Sequence, residues 1–331
     1  MSKVGIIANP AAGKDIRRLV AYASLTGNRE KIDLVRRIIL GIDSTGVDEI
    51  LLMPEYSGLC SQALSGLGGV KLTTLATILD MNVTGTQDDS TRAMTMMSDM
   101  GAGCVVTIGG DGTSRAVAKG NCITPVVAVS TGTNNVFPVM VEATVAGIAA
   151  GVVARQAADL TRVISTHKRI AILRNGIEED MALVDAVVLD QAFIGARAVW
   201  TISEVKEMVC TRAAPDSIGL SSIGGSICPV NPEDNCGLYL AIGRGKFTVK
   251  AAILPGVVQD VCIREYRRIS FGETVPITHQ PGLLALDGER EFKIEIGDTI
   301  LLKVARDGPR VVNIPAAVKE AASNGFFIHQ K

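Results

Sequence analysis

Strand-length apolar runs alternate with helix-like patterns through the first half of the chain. The runs at 4–8, 49–53, 104–108 and 125–129 are mostly apolar, as buried parallel strands are. Between them, apolar residues recur at helical spacing in 28–40, 56–67, 88–100 and 141–154. A further strand is predicted at 70–76, and further helices from Asp15 onward and over 114–119. This alternation predicts a doubly wound α/β domain with a parallel sheet.

After about residue 160 the pattern changes to strands separated by turns. Strands are predicted at 169–173, 181–189, 238–242, 247–253, 257–263, 283–286, 292–296 and 300–304. In the stretch 292–296, apolar and charged residues alternate, which is typical of half-buried antiparallel strands. The chain therefore divides into an α/β domain over 1–160 and a β-rich domain over 161–331.

Composition narrows the classes of function. Lys plus Arg (33) nearly balances Asp plus Glu (34), which argues against nucleic acid or an acidic membrane surface as partner. The 7 cysteines are scattered without a C-x-x-C pair, and the 3 histidines lie far apart, so neither zinc nor a disulfide framework is indicated. Residues 1–12 are typical of a first strand and not of a signal peptide, and no apolar run is long enough to span a bilayer. We expect a cytoplasmic protein.

Three polar, glycine-bearing turns follow predicted strands. They occupy 9–14, 109–113 and 130–135, and the first lacks the spacing of a Walker A loop. Taken alone, the first turn is more typical of a plain connection than of a phosphate site. Because consecutive parallel strands end at the same edge of a sheet, we expect all three turns to converge on one crevice.

The second of these turns wraps three glycines around one carboxylate, Asp111. Glycines allow backbone amides to approach an anion closely, and the following helix amino terminus adds partial positive charge. A carboxylate at this position would repel phosphate. Asp111 is therefore predicted to hold a cation or to remove a proton.

The segment Gly109-Gly110-Asp111-Gly112-Thr113 resembles the G-G-D-G-T motif of the ATP-NAD kinase superfamily, which includes diacylglycerol and sphingosine kinases. The resemblance covers nearly the whole chain. Residues 9–14 are similar to its N-P-x-x-G turn, 131–135 to the G-T-x-N-D turn of lipid kinases, 217–225 to the substrate loop of NAD kinases, and 287–289 to a late D-G-Q or D-G-E turn. More narrowly, 8–19 resembles the NAD-kinase-like protein X subfamily of acetoin-catabolism operons.

The resemblance implies a NAD kinase-like fold and a phosphotransferase with its active site between the two domains. The domain over 1–160 would bind nucleotide, and the domain over 161–331 would be β-sandwich-like, bind substrate and mediate oligomerisation, with its extreme carboxyl terminus able to pack back on the first. Asp111 would be the catalytic residue, with Mg²⁺ near it held through water and no direct metal ligand assigned. Nucleotide-binding roles are implied for Asn9, Gly13, Lys14, Gly109, Gly110, Gly112, Thr113, Thr131, Gly132, Thr133, Asn134 and Asn135. Substrate-binding roles are implied for Asp185, Ser221, Ser222, Asp287 and Glu289, although Asp-Gly is also an ordinary hairpin turn.

The expected reaction transfers the terminal phosphate of ATP, or of polyphosphate, to a hydroxyl of NAD or a related small molecule. Two departures from the family bear on the acceptor: Val184 stands where NAD kinases carry an asparagine, and Asn135 stands where an aspartate is usual. Alternatives are a kinase for a different hydroxylated molecule, or a weakly active or inactive accessory protein of acetoin catabolism that binds NAD or nucleotides. NAD is thus a possible substrate or ligand, and Mg²⁺ is expected with ATP.

Three further features of the sequence allow only less specific interpretations. The serine- and glycine-rich stretch 216–226 could clasp a ligand or merely connect the domains. Asp88 and Asp89 are predicted to be structural, because acidic residues in a first helical turn complement the helix dipole. Arg264, Arg267 and Arg268 indicate an exposed edge or an interface. Family resemblance implies a homodimer or homotetramer with small nucleotides as ligands, and the balanced charge argues against nucleic-acid or membrane partners.

Overall fold

The computed structural model describes residues 1–12, 22, 26–132, 134–191 and 202–328, and Arg290 by its backbone alone. Its first layer is a parallel sheet ordered β3-β2-β1-β4-β5. These strands are β1 (Lys3–Ala8), β2 (Glu49–Leu52), β3 (Leu75–Ile78), β4 (Cys104–Gly109) and β5 (Val126–Ser130). The strand order reverses between β1 and β4, and a crevice at such a switch point is the usual ligand site of an open α/β sheet.

Helices cover both faces of this sheet. They are α1 (Asn28–Asp43), α2 (Leu59–Ser65), α3 (Asp88–Asp99), α4 (Asp111–Gly120), α5 (Ala143–Ala154) and the short α6 (Leu160–Val163). Successive strand residues point to opposite faces, so Ile6 packs in the core that includes α1 and α5, whereas Ile7 packs in the core that includes α3. The predicted doubly wound α/β architecture is confirmed.

The second half of the chain forms two antiparallel sheets packed face to face. One has the order β12-β11-β10-β9-β14-β15 and the other β13-β16-β7-β8, with Ile170, Val188 and Leu284 among the residues buried together in their shared core. A short helix, α7 (Leu220–Gly225), packs against β11. The strands and the carboxyl-terminal elements are β6 (Ile164–Thr166), β7 (Arg169–Arg174), β8 (Ile177–Ala182), β9 (Asp185–Leu189), β10 (Val205–Cys210), β11 (Cys236–Leu254), β12 (Val257–Ser270), β13 (Thr274–Pro276), β14 (Gly282–Leu286), β15 (Glu289–Ile294), β16 (Ile300–Ala305), β17 (Arg310–Val312) and α8 (Ile314–Ser323).

The chain ends by returning to the first sheet. β17 pairs parallel to β5 and antiparallel to β6, which makes a sheet of seven strands among the described residues. α8 packs against α5. The chain therefore crosses between the first sheet and the sandwich twice, and the two crossings are hydrogen-bonded where the amide of His167 donates to the Pro309 carbonyl at 3.0 Å.

Several predicted boundaries were wrong, for reasons visible in the packing. The strand predicted at 181–189 is two strands, because the amides of Leu183 and Val184 donate to the Asp287 carboxylate instead of to a neighbouring strand. The strand predicted at 70–76 begins only at Leu75, because the Thr73 and Thr74 amides donate to Asp43.

Other differences concern the lengths and ends of elements. The helix predicted from Ser114 begins at Asp111, and the two strands predicted within 238–253 form one long β11 with register shifts. The stretch 216–226 contains the helix α7. The helix predicted from Asp15 lies outside the described residues. Arg264, Arg267 and Arg268 lie on β12, the edge strand of the six-stranded sheet.

Candidate functional site

A cavity of about 890 Å³ lies where the carboxyl ends of the parallel strands face the sandwich. From the first half of the chain it is lined by the turn after β1, the start of α4, the turn after β5 and the loops that follow β2 and precede α3. From the second half it is lined by the segment 218–221, the end of β11 and the turn between β14 and β15. The cavity is therefore built jointly by the first sheet and the sandwich.

The first two strand-terminal turns are joined by side chains. Asn9 Nδ2 donates to Thr113 Oγ1 at 2.9 Å, and the Asn9 amide donates to the Ile108 carbonyl at 3.1 Å. Asn9 Oδ1 accepts from the Ala11 amide at 2.9 Å, which folds the first turn on itself. The predicted neighbours Gly13 and Lys14 lie outside the described residues.

Asp111 is the first residue of α4 and lies on the wall of the cavity. The Phe137 amide donates to its Oδ1 at 2.7 Å, and the Val136 amide lies 3.1 Å from both carboxylate oxygens. Amide donors stabilise the ionised form of a carboxylate, and so does the start of a helix. The predicted site carboxylate is thus oriented by the segment that follows the third turn.

Gly109 and Gly110 allow contacts that a larger residue would prevent. A Cβ on Gly109 would lie 2.5 Å from Thr113 Cβ, and a Cβ on Gly110 would lie 2.7 Å from Asn135 Oδ1. The amides at the start of α4 lack intrahelical partners by the geometry of any helix, and Gly112 and Thr113 line the cavity. The turn can therefore present backbone donors to an anion at close range.

The third turn supports the second from the side. The Thr131 amide donates to the Gly109 carbonyl at 3.3 Å, and Asn135 Nδ2 donates to Ser130 Oγ at 2.7 Å. Gly132, Asn134 and Asn135 line the cavity, while Thr131 is buried. Thr133 lies outside the described residues.

Asp287 and Gly288 form the two-residue turn between β14 and β15, with φ of 52° and 77°. Positive φ at both positions is the hairpin geometry that favours Asp-Gly. The Asp287 side chain is buried and accepts from the amides of Leu183 at 2.9 Å and Val184 at 2.7 Å. This carboxylate therefore closes the break between β8 and β9.

Opposing effects set the pKa of Asp287. Burial raises it most, and Asp185 adds to the rise, while the Arg115 charge and the Val184 amide lower it; the net pKa is about 8. Arg115 Nε lies 3.5 Å from Asp287 Oδ2. The protonation state of Asp287 is thus sensitive to the position of that guanidinium.

Glu289 reaches across from the hairpin to the helix that carries Asp111. Its carboxylate lies 3.2 Å from the point where a Cβ on Gly112 would be, and its Oε2 accepts from Gln87 Nε2 at 2.8 Å. Asp185, also predicted to bind substrate, is 5% exposed and lines the same cavity. The structure therefore brings Glu289 and Asp185 to the cavity that holds Asp111.

The two predicted substrate serines are less available than the sequence suggested. Ser221 and Ser222 are buried in α7; Ser221 Oγ donates to the Arg212 carbonyl at 3.1 Å, and Ser222 Oγ donates to the Gly219 carbonyl at 2.7 Å. Ser221 lies on the cavity wall. Both hydroxyls donate to backbone carbonyls that hold α7 in place, and this structural role explains the two serines without a bound ligand.

Val184, the notable departure from NAD kinases, contributes its backbone rather than its side chain. The side chain is 1% exposed and packs with Ala118, Ala128 and Phe137 in a small apolar cluster. The amide holds Asp287. An asparagine at this position would enter that apolar cluster, so Val184 is explained by packing.

Two buried cations near the site were missed from the sequence. Lys31 is 0% exposed and its Nζ donates to the Pro10 carbonyl at 2.7 Å, beneath the first turn. Arg115 is 1% exposed and lies among carboxylates of the sandwich. Both had a detectable signal: Lys31 interrupts the apolar stripe of α1, and Arg115 follows Asp111 by one helical turn.

A third missed group lies behind Asp111. The Arg212 guanidinium stacks 5.2 Å from the Phe137 ring centroid and lies 3.0 Å from His167 Nδ1. Burial and the nearby charges of Arg212 and other cations lower the pKa of His167 to about 3. A neutral imidazole can then accept a hydrogen bond from Arg212. Nothing in the sequence around Arg212 indicated that it lies near the site.

Comparison with known proteins agrees with this architecture. Residues 4–157 match the ATP-NAD kinase N-terminal domain, and residues 168–307 match the acetoin catabolism protein X C-terminal domain. The acetoin catabolism protein X of Cupriavidus necator is 34% identical over 335 residues, covering 96% of this chain and 92% of that protein. The first half of the chain is thus of the ATP-NAD kinase type, and the second half is of the acetoin catabolism protein X type. The chain belongs to the acetoin catabolism protein X family. The predicted resemblance is confirmed.

A solved diacylglycerol kinase from Bacillus anthracis str. Sterne aligns with 94% of this chain and 96% of its own, at 12% identity and a TM-score of 0.47. Within the part of the chain that the structure describes, none of the helices has the length and apolar character needed to cross a membrane.

Proposed function

We propose that this protein is a kinase-like phosphotransferase that moves the terminal phosphate of ATP, or of polyphosphate, to a hydroxyl of NAD or a related small molecule. One observation carries the proposal: the G-G-D-G-T turn, two further strand-terminal turns and the Asp287-Gly288-Glu289 turn border one cavity. Membership of a family whose amino-terminal half is of the ATP-NAD kinase type supports it.

The donor phosphates would lie at the start of α4, where Gly112 and Thr113 bring backbone amides to the cavity wall. Mg²⁺ would arrive with the donor and neutralise part of its charge. Among the described residues, no three His, Cys, Asp or Glu side chains are placed to ligate a metal directly. Asp111, oriented by its amide donors, fits the role of holding such a cation through water.

In the reaction, the acceptor oxygen forms a bond to the terminal phosphorus while the bond from phosphorus to the bridging oxygen of the donor breaks. The acceptor proton passes to a carboxylate, and the shortened donor leaves. Asp111, Asp185 and Glu289 all line the cavity and are the candidates for that carboxylate. Correct placement of such a base increases the rate by a factor of about 10²–10⁴.

The experiment is a screen of hydroxylated acceptors, NAD first, against labelled ATP and polyphosphate, with Asp111→Asn as the control. Transfer of label to an acceptor by the parent protein and its loss in the variant are the expected results. The proposal fails if no donor and acceptor pair gives transfer above the variant.

A second candidate is an accessory protein of acetoin catabolism that binds NAD or nucleotides without turnover. The observation in its favour is that both oxygens of Asp111 already accept backbone amides, which weakens the carboxylate as a base. Calorimetric binding of NAD or ATP without any transfer in the screen would select it.

Self-association as a homodimer or homotetramer is a further part of the proposal, and sedimentation tests it directly.

A further inference from the structure

Helix α4 carries charged residues at every fourth position along one face. Asp111, Arg115 and Lys119 are spaced so that they lie on the same side of the helix. Arg115 is 1% exposed, yet it is among the longest and most polar of side chains. A buried charge is tolerated only with partners, so the elements packed against this face must supply them.

Arg115 meets three carboxylates from three separate elements of the sandwich. Its Nη1 lies 3.5 Å from Asp180 Oδ2 on β8, and its Nε lies 3.5 Å from Asp287 Oδ2 in the β14–β15 turn. Its Nη2 donates to the Glu291 carboxylate on β15. One turn further along, Lys119 Nζ lies 2.7 Å from Asp180 Oδ1.

These ion pairs keep Arg115 charged. Burial works against the charged guanidinium, but Asp287, Glu291 and Asp180 together outweigh it and raise the pKa of Arg115. The planar guanidinium can face three directions at once, whereas an ammonium group is a compact point charge. Lysine is therefore an incomplete substitute here.

The contacts of Arg115 bracket the part of the hairpin that faces Asp111. Arg115 is paired to Asp287 and to Glu291, which lie two residues before and two residues after Glu289. The Glu289 carboxylate lies beside Gly112 at the start of the same helix. Because Asp111 and Arg115 are one turn apart on a rigid helix, fixing the hairpin to Arg115 also fixes it relative to Asp111.

We infer that Arg115 is a positioning residue: it ties the Asp287-Gly288-Glu289 turn of the sandwich to the helix that carries Asp111. The structural part of this inference does not depend on the reaction. Its catalytic consequence rests on the proposed phosphotransfer, because only then must the two walls of the cavity hold a donor and an acceptor in register.

Hydrogen exchange of the full-length protein tests the structural part without any substrate. In Arg115→Met, amides in 183–185 and 286–291 should exchange about tenfold faster than in the parent, because Asp287 loses the nearby positive charge that favours its ionised form and so holds its amide partners less strongly. Arg115→Lys should show a smaller increase. Unchanged exchange in both segments would overturn the inference.

Arg169→Met is the matched control. Arg169, whose side chain is 16% exposed, also pairs with two carboxylates, Glu178 and Asp307, but it is not among the described residues that line the cavity. It should leave exchange in 183–185 and 286–291 as in the parent. Equal acceleration in those segments by the Arg115 and Arg169 variants would mean general destabilisation and would also overturn the inference.

Kinetics tests the catalytic consequence once the screen has given an acceptor. Arg115→Met should lower kcat by about tenfold or more with the KM for the donor nearly unchanged, and Arg115→Lys should recover part of it. An unchanged kcat would overturn the positioning role in catalysis. If the screen finds no acceptor, the proposed function fails while the exchange result still decides the structural role of Arg115.

Discussion

The backbone amide of Phe137 donates to Asp111 Oδ1 at 2.7 Å, between residues 26 positions apart. The Phe137 ring in turn packs edge-on to His167 and beneath the Arg212 guanidinium. His167 lies where the chain first crosses from the parallel sheet to the sandwich. The orientation of the central carboxylate is therefore coupled to the junction between the two halves of the molecule.

Asp111→Asn should keep the fold and nucleotide affinity while phosphotransfer falls by about 10²–10⁴. The amide side chain can still accept one hydrogen bond from Phe137, but it carries no charge and is not a base. Steady-state rates with the acceptor found by the screen, together with calorimetry for ATP, measure both effects.

Asp159→Asn is the control for Asp111→Asn. Asp159 likewise accepts a backbone amide at the start of a helix, from Thr161 at 3.0 Å, and it is exposed and remote from the cavity. It should retain the parent rate. Full activity in Asp111→Asn would refute the catalytic assignment.

Gly110→Ala should weaken nucleotide binding and lower stability. The added Cβ would meet Asn135 Oδ1 at 2.7 Å, and overpacking of this kind typically costs about 1–3 kcal/mol. Gly69→Ala is the matched control, because nothing lies within 4 Å of its Cβ position. Urea unfolding and calorimetry compare the pair, and equal behaviour would mean that the turn has room for a methyl group.

His167 should contribute a pH dependence to stability. Its pKa is lowered to about 3 in the folded protein by burial and the charges of Arg212, Arg306 and Lys168, against an ordinary value of 6.5. Between these values the unfolded chain binds a proton that the folded protein does not, so this contribution to stability is lost as pH falls from about 6.5 toward 3. The slope for one proton is at most about 1.4 kcal/mol per pH unit.

His167→Gln should therefore flatten the dependence of unfolding free energy on pH between 4 and 6.5, since glutamine does not titrate and can still accept from Arg212. Urea unfolding at a series of pH values measures the difference from the parent. Parallel curves for the two proteins would show that His167 does not titrate as its surroundings imply.

Lys31→Met should destabilise the first turn. The Pro10 and Asn9 carbonyls would lose the Nζ donor at 2.7 and 3.3 Å, and an unsatisfied buried acceptor costs about 1–3 kcal/mol. ATP affinity should fall with it, because the same turn borders the cavity. Lys71→Met, on an exposed loop, should change neither stability nor ATP affinity. If Lys31→Met also changed neither of them, the buried lysine would be dispensable.

Much of the first sheet could be predicted because its signals are local. An apolar run such as 104–108 needs no information from elsewhere to indicate a buried strand, and Gly109 and Gly110 mark the turn after it. The expected convergence of turns follows from the geometry of parallel strands, and Asn9 does contact Thr113. Predictions failed where a distant carboxylate captured backbone amides, as Asp43 and Asp287 do.

By itself, the sequence determined the alternating strands and helices, the three glycine-bearing turns and the place of Asp111 among them, since periodicity and turn chemistry act over a few residues. Only the tertiary structure decided which groups meet at the cavity. Asp287 holds the Leu183 amide from 104 positions away, and Arg115 pairs with Glu291 from 176 positions away. A buried charge or amide must find a partner, but the partner is whichever group the topology brings within reach.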